Sequence, residues 1–98
     1  MAWWVNITRE VVEGLQSFGF QNPSPEQILQ SVEHYLRTQG ETWFEDRWNK
    51  CPEQFFVFTH ILAEGGRLHT LEFVVEDTSK TVGVLNVVWV EHYPGNPL

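Results

Sequence analysis

Two segments in the first half of the chain have apolar residues at the spacing of an amphipathic helix. In the first segment these residues are Val11, Val12, Leu15 and Phe18. Such spacing is typical of a helix that packs one face on a core. Thr8 is a candidate N-cap, and Gly19 stands where helices commonly end. The pattern predicts a helix over residues 9–18.

The second segment begins with a capping box. Ser24 is the candidate N-cap, Pro25 takes the first helical position, and Gln27 can bond back to Ser24. Arg37 suits the last turn of this helix, and Gly40 predicts its end. The apolar stripe consists of Ile28, Leu29, Val32, Tyr35 and Leu36.

The residues that follow Gly40 leave two alternatives open. Residues 41–51 contain Trp43, Phe44 and Trp48. These aromatic residues could share one side of a short helix, or they could lie in a loop that covers the core. Pro52 ends the segment.

Elsewhere the apolar residues follow the period of two that is typical of strands. Residues 3–7 predict a short first strand. Residues 55–64 and 67–76 predict a hairpin around Gly65-Gly66, a dipeptide that accepts positive φ at both turn positions. After a turn at residues 77–80, residues 81–91 predict a last strand, and residues 93–98 an irregular tail. The order β-α-α-β-β-β predicts a single α+β domain over residues 1–98, with two N-terminal helices packed on a C-terminal antiparallel meander.

The Gly-Gly turn fixes a register for the hairpin. If Glu64 opposes Arg67, then His60 opposes Leu71, and residues directly opposite share a face. A tip at Thr78-Ser79 then places the last strand as well. One predicted face consists of Phe56, Phe58, His60, Leu62, His69, Leu71, Phe73, Val75, Val82, Val84, Asn86, Val88 and Val90. The other consists of Phe55, Val57, Thr59, Ile61, Ala63, Leu68, Thr70, Glu72, Val74, Leu85, Val87 and Trp89.

Both predicted faces are mostly apolar, whereas a sheet with one wet face should alternate apolar and polar residues. Two helices can cover one face. The other must be covered by the Trp3-Trp4 strand and the Trp43–Trp48 segment, by a second copy of the chain, or by another protein. Large exposed apolar patches usually mark interaction sites. The candidate interface residues are Phe55, Val57, Ile61, Glu72, Leu85, Val87 and Trp89.

Composition and charge exclude several classes of protein. The chain has 98 residues, with 6 Lys and Arg against 13 Asp and Glu and a net charge of −7. No basic run is present, which argues against binding to nucleic acid or to anionic membranes. The longest apolar run is too short for a membrane helix. The single cysteine, Cys51, cannot form an intramolecular disulfide, so a cytoplasmic location is expected.

A second hypothesis concerns two histidines and an amide. In the predicted register His60, Leu71 and Asn86 form one cross-strand row, and His69 lies diagonal to His60. Such a cluster could bind a small ligand or act as acid and base near neutral pH. The ordinary alternative is a pair of hydrogen-bonded histidines at the sheet rim. No cofactor or metal site is predicted, since structural zinc needs four ligands.

The leading hypothesis is therefore a small acidic cytoplasmic protein that acts by binding another protein. An inhibitor, immunity or adaptor role with a basic partner would fit its acidity, because complementary charge speeds and orients association. Homodimerisation is the other form of this hypothesis. The alternative is a small enzyme or ligand-binding domain that uses His60, His69 and Asn86.

Overall fold

The structure is a computed structural model that describes residues 4–50, 55–76 and 84–98, with the backbone alone for residues 39–50 and 55–56. Its elements are β1 (Trp4–Ile7), α1 (Arg9–Ser17), α2 (Pro25–Lys50), β2 (Phe55–Glu64), β3 (Arg67–Glu76) and β4 (Val84–Pro97). This order confirms the predicted α+β fold, in which two N-terminal helices precede an antiparallel meander.

Both helices begin where the sequence predicts. At α1, the extended Thr8 accepts the Val12 N–H through its carbonyl, although its side chain makes no capping bond. At α2 the capping box is complete. The Ser24 N–H donates to Gln27 Oε1 over 2.9 Å, and the Gln27 N–H donates to Ser24 Oγ over 3.3 Å. Both bonds satisfy N–H groups that would otherwise be unpaired at a helix start.

The second helix is longer than predicted. It continues through Gly40 to Lys50, so the prediction that Gly40 ends it was wrong. One interior glycine costs a helix only about 1 kcal/mol relative to alanine. A cost of this size is tolerated within a helix of 26 residues. The backbone of residues 41–50 is therefore helical, while the side chains of Trp43, Phe44 and Trp48, and Cys51 as a whole, lie outside the described part.

The hairpin of β2 and β3 has the predicted register. Glu64 pairs with Arg67, Leu62 with His69 and His60 with Leu71. Gly65 and Gly66 have φ values of 61° and 72°, as a two-residue turn of this kind requires.

The strands form one sheet in the order β1-β4-β3-β2. β1 pairs with β4 in parallel, with Val5 opposite Leu85. Of the three alternatives for covering the second face, the one that used the Trp3-Trp4 strand does not hold for β1, because β1 lies at the sheet edge and extends the sheet instead. Trp3 itself lies outside the described residues.

The last strand extends to Pro97, so the irregular tail predicted for residues 93–98 was wrong except at Leu98. Proline lacks an N–H and is tolerated in strands that have an open side. β1 pairs only with residues 84–87, so the rest of β4 lacks a strand on that side. Gly95 passes so close to β3 that a Cβ there would lie 2.4 Å from the Leu68 carbonyl oxygen. The predicted turn at 77–80 and residues 81–83 lie outside the described ranges.

Both helices pack on one face of the sheet, which we call the inner face. Val11 and Leu15 of α1 and Leu36 of α2 are fully buried against it. The strand residues of this core are Val5, Leu62, Leu71, Phe73, Val75, Leu85, Val87 and Val90. Within the described ranges, neither helix is long and apolar enough to cross a membrane.

Candidate functional site

The face of the sheet opposite the helices, which we call the outer face, exposes large apolar side chains. Ile61 is 62% exposed, Trp89 50% and Leu68 44%. Strand alternation places Trp4, Val57 and Tyr93 on the same face, and each is exposed as well. The structure thus has an apolar surface on the outer face that no described segment covers.

All seven predicted interface residues lie on strands, but only four of them are placed on the outer face. Val57, Ile61, Glu72 and Trp89 occupy outer-face positions. Phe55 begins β2, and only its backbone is described. Leu85 and Val87 are fully buried on the inner face, so their assignment to the docking surface was wrong. The Val87 carbonyl also accepts the N–H of Thr8, the residue directly after β1, over 3.0 Å.

A longer connection before β4 than the predicted tight turn explains this error, and a β-bulge at Val88 limits it to the residues before Trp89. Val74 pairs with Trp89 but Val75 pairs with Val87, so Val88 is an extra residue in β4. The predicted tip at Thr78-Ser79 would place Thr81 opposite Glu76, whereas Asn86, five residues further along, takes that place. Because this displacement is an odd number of residues, the β4 residues before the bulge lie on the face opposite to the predicted one. Beyond it the displacement is even, so Trp89 and Val90 keep their predicted faces.

The charges that border this apolar surface are all negative in the described part of the chain. Glu72, Glu76 and Glu91 occupy outer-face positions, and no described lysine or arginine does. Glu91 Oε1 accepts a hydrogen bond from Trp89 Nε1 over 2.6 Å. The outer face therefore combines exposed apolar groups with carboxylates and presents no compensating cation.

The predicted histidine cluster forms only in part, and with a different third member. His60 and His69 share the inner face as predicted. Asn86 does not join them, because the register shift turns it to the outer face, where Asn6 Nδ2 donates to Asn86 Oδ1 over 3.1 Å. His92 takes its place opposite Leu71. The row predicted as His60, Leu71 and Asn86 is therefore His60, Leu71 and His92.

His69 and His92 form a hydrogen-bonded, stacked pair. His69 Nδ1 lies 2.9 Å from His92 Nε2, and the ring centroids are 5.1 Å apart. His69 Nε2 lies 3.0 Å from the Glu64 carbonyl oxygen. A carbonyl can only accept, so Nε2 of His69 is the donor, its Nδ1 accepts in the neutral ring, and His92 Nε2–H donates. If both rings were protonated, two N–H donors would face each other.

Two phenylalanines from the segment after α1 enclose this pair. The Phe20 ring contacts both histidines edge-on, with its centroid 5.1 Å from that of His69 and 5.2 Å from that of His92. The ring centroid of Phe18 lies 4.9 Å from that of His92. Burial, followed by the charge of His69, lowers the pKa of His92. Burial likewise lowers the pKa of His60. These surroundings favour neutral rings in a packing role.

The arrangement does not assemble a ligand site from the three predicted residues. His69 uses both ring nitrogens within the protein, and Asn86 lies on the opposite face. Across the residues that the structure describes, no group of three or more His, Cys, Asp or Glu side chains is placed to hold a metal ion.

Sequence reasoning missed three residues that matter here. Tyr93 was assigned to the tail, and His92 fell between the predicted strand and the tail, since Pro94-Gly95 was interpreted as the end of regular structure. Trp4 was assigned a covering role. Continued alternation from Trp89 through Glu91 to Tyr93 is the signal that could have revealed the longer strand.

Comparisons of this chain with protein-family models, with curated proteins and with solved structures give no match.

Proposed function

We propose that this protein acts by binding another protein through its outer face, and that the partner presents basic residues among apolar ones. The observation that supports this most directly is the exposure of Ile61, Leu68 and Trp89 on a face that no described segment covers. Full burial of one such side chain stabilises by about 1.5–3 kcal/mol. Each of the three is about half exposed, so a partner that covers them together would gain about 2–5 kcal/mol from this source, with charge pairing and further contacts supplying the rest.

The carboxylates specify the chemistry of that partner. Glu72 lies centrally on the outer face, opposite Thr59 on β2 and Glu91 on β4. Desolvating carboxylates without a cation is unfavourable, whereas an arginine can bond both oxygens of one carboxylate. A basic partner would also be attracted by the net charge of −7.

The same carboxylates disfavour stacking of two copies through their outer faces. A two-fold axis would bring the same surface patch of each copy together. Glu72, Glu76 and Glu91 of one copy would then enter an interface with the same three residues of the other. Like charges brought together in this way oppose association, so a different, basic protein is the better occupant.

A photo-crosslinking amino acid at Trp89, which is exposed on β4 and two strands away from the β2 edge, tests this function in the source organism. We expect a covalent adduct with one protein, and mass spectrometry should locate the crosslink beside arginine or lysine residues. The matched control places the same amino acid at Gln30, which is exposed on α2 and distant from the outer face.

Three results would contradict the proposal: equal adducts from both positions, no adduct from Trp89, or a crosslinked site without basic residues. The alternative function, ligand binding by His60, His69 and Asn86, is not supported by the geometry, because Asn86 lies on the opposite face of the sheet from the two histidines.

We propose a cytoplasmic setting, because the one cysteine leaves the domain without an intramolecular disulfide.

A further inference from the structure

The free edge of β2 is a second feature that interaction through the outer face does not use. β2 ends the sheet order, and no backbone hydrogen bond among the described residues reaches its outer edge. It is ten residues long, in contrast to the four residues of β1 at the opposite edge. A strand edge of this kind offers a row of N–H and C=O groups to another strand.

Natural proteins usually protect such edges with lysine, proline, bulges or short strands. β2 has none of these protections. Residues 55–63 contain no charged residue, no proline and no glycine, and the pairing of β2 with β3 has no register shift. The edge is therefore suited to pairing rather than protected against it.

The hairpin geometry identifies which backbone groups are free. In a two-residue hairpin the residues that flank the turn exchange hydrogen bonds, and such pairs then alternate. Glu64, Leu62, His60 and Phe58 are therefore bonded to β3. The N–H and C=O groups of Ala63, Ile61, Thr59 and Val57 point away from the sheet, and their side chains lie on the outer face.

We propose that two copies of this chain pair antiparallel through β2, around a two-fold axis at Thr59, to form one continuous eight-stranded sheet. In this register Thr59 faces its own counterpart, and Val57 faces Ile61 of the second copy. Opposed β-branched residues are favourable cross-strand pairs. The overlap extends from residue 55 to residue 63 and leaves Glu64 outside it, so no like charges are opposed.

Charge is the reason for choosing a second copy as the occupant of this edge. Stacking of two outer faces opposes three glutamates with three others, but the β2 edge matches itself without a charged residue. The pairing also joins the two outer faces side by side. It therefore leaves them open to the basic partner and does not depend on that partner.

The experiment measures the mass of the purified protein in solution at micromolar concentrations by sedimentation equilibrium. The chain mass is 11.5 kDa, so the expected dimer has twice that mass. Thr59→Lys would oppose two lysines at the axis and should reduce the mass to that of one chain. The matched control, Thr70→Lys, makes the same change on the outer face of β3, opposite Ile61 and one strand in from the edge, and should remain a dimer.

A charge-swap experiment tests the register and shows that the variants fold. Thr59→Lys and Thr59→Glu should each be monomeric alone and form a mixed dimer when combined. A monomeric wild-type protein would overturn the proposal and leave the edge to a strand from another protein. A dimer that survives Thr59→Lys, a monomeric Thr70→Lys, or no mixed dimer would also overturn it. The Trp89 crosslink, repeated in the monomeric variant, reports on partner binding separately.

Discussion

Aspartate substitutions at Val87 and Leu68 test the assignment of the two sheet faces. The sequence pattern alone puts both residues on the same face. In the structure the bulge at Val88 separates them: Val87 is fully buried between sheet and helices, whereas Leu68 is 44% exposed on the outer face. The same substitution should therefore have very different effects at the two positions.

The magnitudes follow from burial. Val87→Asp forgoes about 1.5–3 kcal/mol of apolar burial and leaves an unpaired carboxylate inside the core, which costs roughly 3–5 kcal/mol more. The sum of about 5–8 kcal/mol is comparable to the whole free energy of unfolding of a small domain, about 5–15 kcal/mol. Leu68→Asp loses only its buried fraction, about 1–2 kcal/mol, because its carboxylate remains in water.

Urea unfolding followed by tryptophan fluorescence and circular dichroism measures both changes, at one protein concentration. We expect Leu68→Asp to unfold cooperatively at a slightly lower midpoint. Val87→Asp should show little or no native baseline. If Val87→Asp is within about 2 kcal/mol of the wild-type protein, or if Leu68→Asp is the more destabilised variant, the bulge and the face assignment are refuted.

Two further predictions concern the start of α2 and the partly buried histidines His60 and His92. Ser24→Ala removes one side of the capping box and should lower the free energy of unfolding by about 1 kcal/mol; Ser31→Ala, exposed within α2, is the control, and equal effects would contradict the role of the cap. Burial lowers the pKa of His60 and of His92 below 6.5. The unfolded chain therefore takes up more protons as the pH falls through 6.5, and stability should fall with it. His60→Gln and His92→Gln should each weaken this dependence in urea titrations; an unchanged slope in both would argue against it.

The parts of the fold that the sequence predicted correctly depend on local signals. The capping box of Ser24 and Gln27 needs residues only three positions apart. The register of β2 and β3 follows from a two-residue turn, so Gly65 and Gly66 determine every pair along the hairpin. In such cases the chemistry of a few neighbouring residues determines the local geometry.

The errors arise where the pairing is not determined by neighbours. Nothing near β1 shows that Val5 pairs in parallel with Leu85. The connection after β3 sets the register of β4, and an assumed tight turn gave the wrong faces for Leu85, Asn86 and Val87. A displacement by one residue is enough to exchange the two faces of a strand. The faces predicted for β4 are therefore reversed whenever the pairing is displaced by an odd number of residues.

The sequence predicted a sheet face with exposed apolar residues, and the outer face has them. Two of the residues assigned to that face, Leu85 and Val87, are instead fully buried on the inner face. The excess of apolar residues on both faces is a property of composition and alternation, so it survives an error in register. Which residues of β4 belong to that surface depends on the bulge at Val88. Asn86 is absent from the histidine cluster because the register before the bulge differs from the predicted one, and His92 joins the cluster because β4 continues beyond residue 91.

The position of β4 between β1 and β3 has a consequence for how the chain folds. Asn6 and Asn86, whose side chains are hydrogen-bonded, are 80 residues apart in the chain. During synthesis β1 therefore has no strand to pair with until nearly all of the described chain has emerged, and the core beneath α1 stays incomplete until then. Contacts of such long range slow folding, and proteolytic loss of β4 would deprive β1 and β3 of a shared partner in a single cut.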